Sequence, residues 1–165
     1  MKKTYKRERG FTLIELLVVI AIIGILASII LASLATARSK GVDATMQSDL
    51  NSVNSQMELF NQGGSVGYTG GCAALASATP PGAGTILAGA QSDVNASFTA
   101  GTLVTAIGTA QTYNAVTCHD SGTAWAASAP YHDSNSTTGD YWCVDSNGKA
   151  EKTATALAIN AVTCP

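Results

Sequence analysis

The sequence predicts an α+β chain in which one long N-terminal helix packs on a small antiparallel β-sheet. Three observations carry this. Residues 16–34 contain no charged side chain, and only Gly24, Ser28 and Ser33 among them are not apolar. Apolar residues then recur at Val42, Met46, Leu50, Val53, Met57 and Phe60, at steps of three and four. Beyond residue 111, short segments alternate apolar and polar, and Asn147-Gly148 separates the last two of them.

The uncharged run matches the ~20 apolar residues that carry a helix across a ~30 Å hydrocarbon layer. Lys2, Lys3, Lys6, Arg7 and Arg9 precede it, a basic flank that predicts a cytoplasmic N-terminus. A secretory signal is the competing reading, since Ala35-Thr36-Ala37 offers a small-residue cleavage site. Against it, the apolar run exceeds the usual ~7–15 residues of such signals, and the helical pattern continues past the supposed cut. Steps of three and four place Val42 to Phe60 on one face, with Asp43, Ser48, Asp49, Asn51, Ser52 and Asn54 elsewhere. A helix over residues 11–60 would be about 75 Å long at ~1.5 Å per residue. Gly63-Gly64 is the expected stop. Gly41 is its weak point, at ~1 kcal/mol relative to alanine, and marks 38–41 as the place for a bend or local melting.

Gly70-Gly71 and Pro80-Pro81-Gly82 read as a long turn-rich connection after the helix. Residues 98–107 suit a short helix or a strand. Residues 112–118, 123–129 and 140–145 read as strands, and Ser146-Asn147-Gly148 as a hairpin turn into 149–155, because Asn-Gly tolerates positive φ. Trp125, Tyr141 and Trp142 supply aromatic bulk. Alternation sends Tyr141 and Trp142 to opposite faces, so that one fills a thin core and the other is a candidate carbohydrate platform.

Cys72, Cys118, Cys143 and Cys164 include no C-x-x-C pair, which disfavours a redox or zinc site. An even count beyond an export-like segment reads as two disulfides in an oxidising compartment. Of the three connectivities, Cys72 with Cys118 and Cys143 with Cys164 is favoured, the second tying the C-terminal tail to the hairpin. Cys118 facing Cys143 across neighbouring strands remains open.

Charged residues make up 12% of the chain, against ~25% in ordinary domains. Without residues 1–10, four basic side chains face ten carboxylates, a net charge of −6. Nonspecific nucleic-acid binding requires clustered Lys and Arg, so no nucleic-acid partner is expected.

Glu15 stands at the entrance of the apolar helix, where an unpaired carboxylate is expensive. The helix N-terminus favours an anion in its first turn. A cut after Gly10 would also create a positive amine on Phe11, four residues away. In a stack of parallel helices, Glu15 of one copy would then meet the Phe11 amine of another and fix the axial register. The simpler alternative is that Glu15 reaches to the headgroup layer.

Gly10-Phe11-Thr12-Leu13-Ile14-Glu15, with the basic leader before it and the apolar run after it, resembles the processing motif of type IV prepilins and of the pseudopilins of type II secretion and competence systems. The resemblance covers about the first 30 residues. It implies a pilin-like fold, cleavage by a prepilin peptidase between Gly10 and Phe11, N-methylation of Phe11, and a docking role for Phe11 and Glu15 in a helical homo-oligomer. Together with the residue pattern, it divides the chain into a leader (1–10), a membrane-spanning and filament-core helix (11–35), an amphipathic continuation (36–61) and a disulfide-stabilised β-rich domain (62–165). The partners implied are the peptidase, the assembly machinery in the membrane, and lipid before assembly. The precursor would sit in the cytoplasmic membrane and the filament at the cell surface. Unlike many relatives, this chain has no proline before Pro80. Ala21, Gly24, Ala27, Ser28, Ala32 and Ser33 allow close helix approach, though ordinary membrane helices contain such residues too.

No catalytic residue and no cofactor is expected. His119-Asp120 and His132-Asp133 each put an imidazole beside a carboxylate, but neighbours in a strand point to opposite faces and no nucleophile accompanies them. Asp133, Asn135, Asp140, Asp145 and Asn147 are oxygen ligands of a kind calcium uses. Asp133, Asp140 and Asp145 are the carboxylates of such a site, and some pseudopilins hold calcium in a C-terminal loop. Asp145-Ser146-Asn147-Gly148, however, is explained by a hairpin turn without metal. The alternatives to a pilus subunit are therefore a secretion pseudopilin and, more distantly, a lectin-like membrane-anchored protein that never polymerises.

Overall fold

The computed structural model of the chain describes residues 10–63, 67–74, 82–95, 103–106, 108–132 and 139–165. Its elements are α1 (Leu13–Gln62), α2 (Gly84–Asn95), β1 (Thr117–Asp120), β2 (Trp125–Pro130), β3 (Tyr141–Asp145) and β4 (Ala150–Thr153). The chain divides into two compact units, Met1–Arg38 and Ser39–Pro165, with α1 contributing to both.

In the first unit α1 is an apolar helix whose large side chains, from Leu13 to Leu34, are all exposed. The helix is continuous through residues 38–41, so the melting expected around Gly41 is not found there. One glycine costs only ~1 kcal/mol, which the surrounding backbone ladder offsets. The helix ends at Gln62, where the Gly63 amide bonds back to the carbonyls of Leu59 and Phe60. Gly64 lies outside the described residues.

In the second unit the expected stripe is the buried face of α1: Met46, Leu50, Val53, Met57 and Phe60 are buried and Val42 is half-buried. The four strands form an antiparallel meander in the order β1-β2-β3-β4. One sheet face, carrying Cys118, Trp125, Ala127, Ala129 and Val144, packs with Met46, Leu50, Val53 and Met57 of α1 and Leu87, Ala90 and Val94 of α2. The other face holds a smaller core of Ala126, Cys143, Leu157 and Cys164. Because both faces of β2 are covered, all six of its residues are buried, and its alanines let both layers approach closely. Cys72–Cys118 and Cys143–Cys164 are disulfides, one on each side of the sheet.

The observed strands are shorter than the alternating segments. Residues 112–116 turn instead of extending, and β1 begins at Thr117. The stretch read as one long connection contains α2, a helix of 12 residues. Residues 98–102 and 107 lie outside the described set; of the remainder, Val104 makes a single parallel bridge to Thr117.

Irregular backbone cannot be buried without partners, and side-chain amides supply them here. Gln91 on α2 accepts from the Val116 amide at 2.7 Å and donates to the Asn114 carbonyl at 3.2 Å. Gln111 accepts from the Leu157 amide and donates to the carbonyls of Ala115 and Ser128. Asp145 receives the amides of Asn147 and Lys149 in the hairpin and that of Cys164 in the tail.

Candidate processing and assembly site

Gly10, Phe11 and Thr12 lie outside the helix, which begins at Leu13. The carboxylate of Glu15 accepts two hydrogen bonds from Thr12 at the same oxygen, from the backbone amide at 2.8 Å and from the hydroxyl at 2.7 Å. The Glu15 amide in turn donates to Thr12 Oγ1 at 3.3 Å. This reciprocal arrangement is a capping box, with Thr12 as N-cap and Glu15 at the third helical position. Its signature, Thr-x-x-Glu ahead of an apolar run, stands in Thr12-Leu13-Ile14-Glu15. In the sequence Glu15 stands out as a charge beside an apolar run, whereas Thr12 does not.

The capping box bears on the cost of a carboxylate beside an apolar helix. Within a single chain Glu15 already receives two hydrogen bonds, and it sits in the first turn, where the helix dipole favours an anion. Phe11 is 89% exposed. A Cβ added at Gly10 would meet nothing within 4 Å, so packing within the chain does not require glycine there. Behind this head, α1 is long and apolar enough to cross a membrane.

The other candidate residues are dispersed. Asp133 and Asn135 lie outside the described residues. Asp140 pairs with Lys152 beside the start of β3. Asp145, at the far end of that strand, is buried and spends its oxygens on three backbone amides. A strand rises ~3.3 Å per residue, so the backbones of these two residues stand roughly 16 Å apart along the chain. Among the described residues, no group of three potential metal ligands comes together.

His119 is buried on β1, with Nδ1 3.0 Å from the Ala161 carbonyl and Nε2 2.8 Å from that of Thr109. Asp120 turns away to accept the amides of Gly70 and Cys72. The His132 amide donates to Asp43. Trp142 is half-buried, packs against the helix-side core and donates its indole N–H to Asn51.

Comparison with known proteins agrees with the N-terminal geometry. The family described as the prokaryotic N-terminal methylation motif matches residues 5–31. The chain is 34% identical to the type IV wide pilus major component PilA4 of Thermus thermophilus over 125 residues, which cover 76% of this chain and 84% of that protein. It is 38% identical to the type II secretion system core protein G of Dickeya chrysanthemi over 55 residues, 33% of this chain and 36% of the relative. The core protein G of Pectobacterium carotovorum is 39% identical over 54 residues, 33% and 35% of the two chains. No solved structure matches the chain at a significant level. An N-terminal methylation motif, a long apolar helix continuing into an amphipathic half, a small antiparallel sheet, and a pilus component alike over most of both chains lead to one assignment: the chain belongs to the type IV pilin family.

Proposed function

We propose that the chain is the structural subunit of a type IV pilus filament. The observation that carries this reading is the union of an exposed apolar first half of α1 with a charged head ordered by Thr12 and Glu15. In a single chain in water such a helix would expose a large apolar surface. A bilayer before assembly and neighbouring helices after it both remove that surface from water.

In this reading residues 1–10 are the leader, 11–35 the membrane and filament-core segment, 36–61 its amphipathic continuation and 62–165 the outer domain. The precursor lies in the cytoplasmic membrane with its basic N-terminus inside. A prepilin peptidase cuts between Gly10 and Phe11, and the new amine of Phe11 is methylated. On entry into the filament, Glu15 of one subunit exchanges a Thr12 hydrogen bond for the positive amine of a neighbour's Phe11, setting the axial register. Polymerisation of this kind asks for no catalytic group and no cofactor.

The test is the N-terminus and intact mass of the protein recovered from cells, before and after reduction. A start at Phe11 with one added methyl, and four hydrogens fewer before reduction, is the expected result. A start at Met1 or at Arg38 would overturn the reading.

A second reading, a pseudopilin of a type II secretion system, is favoured by the two core protein G relatives. Deleting the gene separates the two. A pilus subunit takes surface fibres away, whereas a pseudopilin leaves fibres intact and strands exported enzymes inside the cell envelope.

A further inference from the structure

We propose that Thr12 is a positioning residue for cleavage of the Gly10–Phe11 bond: its capping box with Glu15 stops α1 short of that peptide and leaves it outside the helix for the peptidase. The inference rests on the processing reading above.

Hydrolysis breaks the bond between the Gly10 carbonyl carbon and the Phe11 nitrogen. The oxygen of water goes to the new Gly10 carboxyl group and a proton to the Phe11 amine. A peptide wound into a helix resists this, because its N–H and C=O are tied along the axis and side chains crowd the carbonyl carbon. Proteases therefore cut where backbone is exposed and free of such bonds. Gly10 and Phe11 meet that condition only as long as α1 begins after them.

Residue propensity alone would let the helix run on toward the leader. The leader residues Lys2, Lys3, Lys6, Arg7, Glu8 and Arg9 are good helix formers, and Gly10 opposes propagation by only ~1 kcal/mol. The capping box adds a fixed stop. The Thr12 amide and hydroxyl both bond Glu15 Oε2, and the first intrahelical bond of this turn runs from the Leu16 amide to the Thr12 carbonyl. An N-cap residue takes non-helical backbone angles, which turns the chain out of the helix at Thr12 and leaves Phe11 and Gly10 outside it.

The experiment uses the full-length precursor in detergent with purified prepilin peptidase, and follows release of residues 1–10 by mass. Thr12→Val keeps the shape of the side chain and removes its hydroxyl. It is expected to lower kcat/KM about fivefold, the equivalent of a cap worth ~1 kcal/mol. Thr12→Ser, which keeps the cap, is expected to stay within about twofold of wild type. In the Thr12→Val background, Leu13→Pro should restore cleavage. Proline at the first helical position fixes the start of a helix and disfavours helical angles in the residue before it, and no intrahelical bond uses the amide of that position.

Equal cleavage of wild type and Thr12→Val would overturn the inference alone. So would a double variant as slow as Thr12→Val, because the peptidase would then be reading the hydroxyl directly. A wild-type precursor left uncut between Gly10 and Phe11 would instead overturn the processing reading, and this inference with it.

Discussion

Trp142 on β3 donates its indole N–H to Asn51 on α1 at 3.2 Å, bridging 91 positions of sequence. Asn51 is the last of three α1 residues spaced by four. Gln47 donates to the Tyr131 hydroxyl at 2.6 Å, and Asp43 accepts the His132 amide at 2.9 Å. Spacing by four puts the three on one row of the helix, a polar seam beside the apolar stripe. Trp142→Phe should therefore lower stability by about 1 kcal/mol, the net worth of one hydrogen bond. Asn51→Ala should cost a similar amount. Thermal unfolding of the two variants and their double mutant, followed by circular dichroism, should show sub-additive losses, because both remove one shared bond.

The Cys143–Cys164 disulfide closes a loop across a sequence separation of 21, and Cys72–Cys118 one of 46. By loop entropy the first contributes about 3 kcal/mol and the second about 4 kcal/mol. Replacing Cys143 and Cys164 together with serine should lower the urea midpoint less than the same change at Cys72 and Cys118. The comparison is made between oxidised proteins in one detergent.

Asp49 and Asp93 each bind a proton more readily than an ordinary carboxylate. For Asp49 the main cause is desolvation, with repulsion from Asp93 second; for Asp93 it is desolvation. Both folded-state values therefore lie above the ordinary 3.8. Above 3.8 the unfolded chain gives up these protons first, so the native state holds more of them and stability falls as pH rises through the raised values. The protein should become more resistant to heat as pH drops from neutrality toward that range. Asp49→Asn should raise the melting temperature at neutral pH and flatten this slope. A slope unchanged in both Asp49→Asn and Asp93→Asn would locate it in other groups.

Gly67 has φ of +68°, and a Cβ there would lie 1.7 Å from the carbonyl oxygen of Gly122. Gly67→Ala meets backbone, which cannot swing aside as a flexible side chain does. Positive φ adds a penalty of roughly 1–3 kcal/mol. Hydrogen exchange should show faster amides at Gly70 and Cys72, whose bonds to Asp120 hold the same loop.

The elements with a strong period were legible in the residues. The uncharged run and the stripe through Met46, Leu50, Val53 and Met57 mark α1 almost to its ends, and alternation with Asn147-Gly148 marks β3 and β4. Helix α2 was not legible. Its buried face is Gly84, Leu87, Ala90, Gln91 and Val94, a helical spacing written mostly in small or polar residues. Two glycines and the preceding Pro-Pro-Gly suggest turns instead. The helix forms because Gln91 and Leu87 find partners in the sheet and its loops, a tertiary gain that no local pattern announces. The second, smaller core was hidden for a similar reason: residues 156–164 have no regular period and are recruited by contacts with the sheet. At the N-terminus Glu15 was conspicuous as a charge beside an apolar run, whereas Thr12 was hidden by its ordinariness.

The C-terminal tail is grasped largely by its main chain. Gln111 bonds the Leu157 amide, His119 meets the Ala161 carbonyl, and Asp145 takes the Cys164 amide. Leu157 and Cys164 are buried, while Ile159 is exposed and Val162 half-buried. Grips on backbone atoms are indifferent to most of the side chains they carry. Between its two buried anchors, the tail is thus a stretch whose outward lettering can be rewritten without loosening the hold.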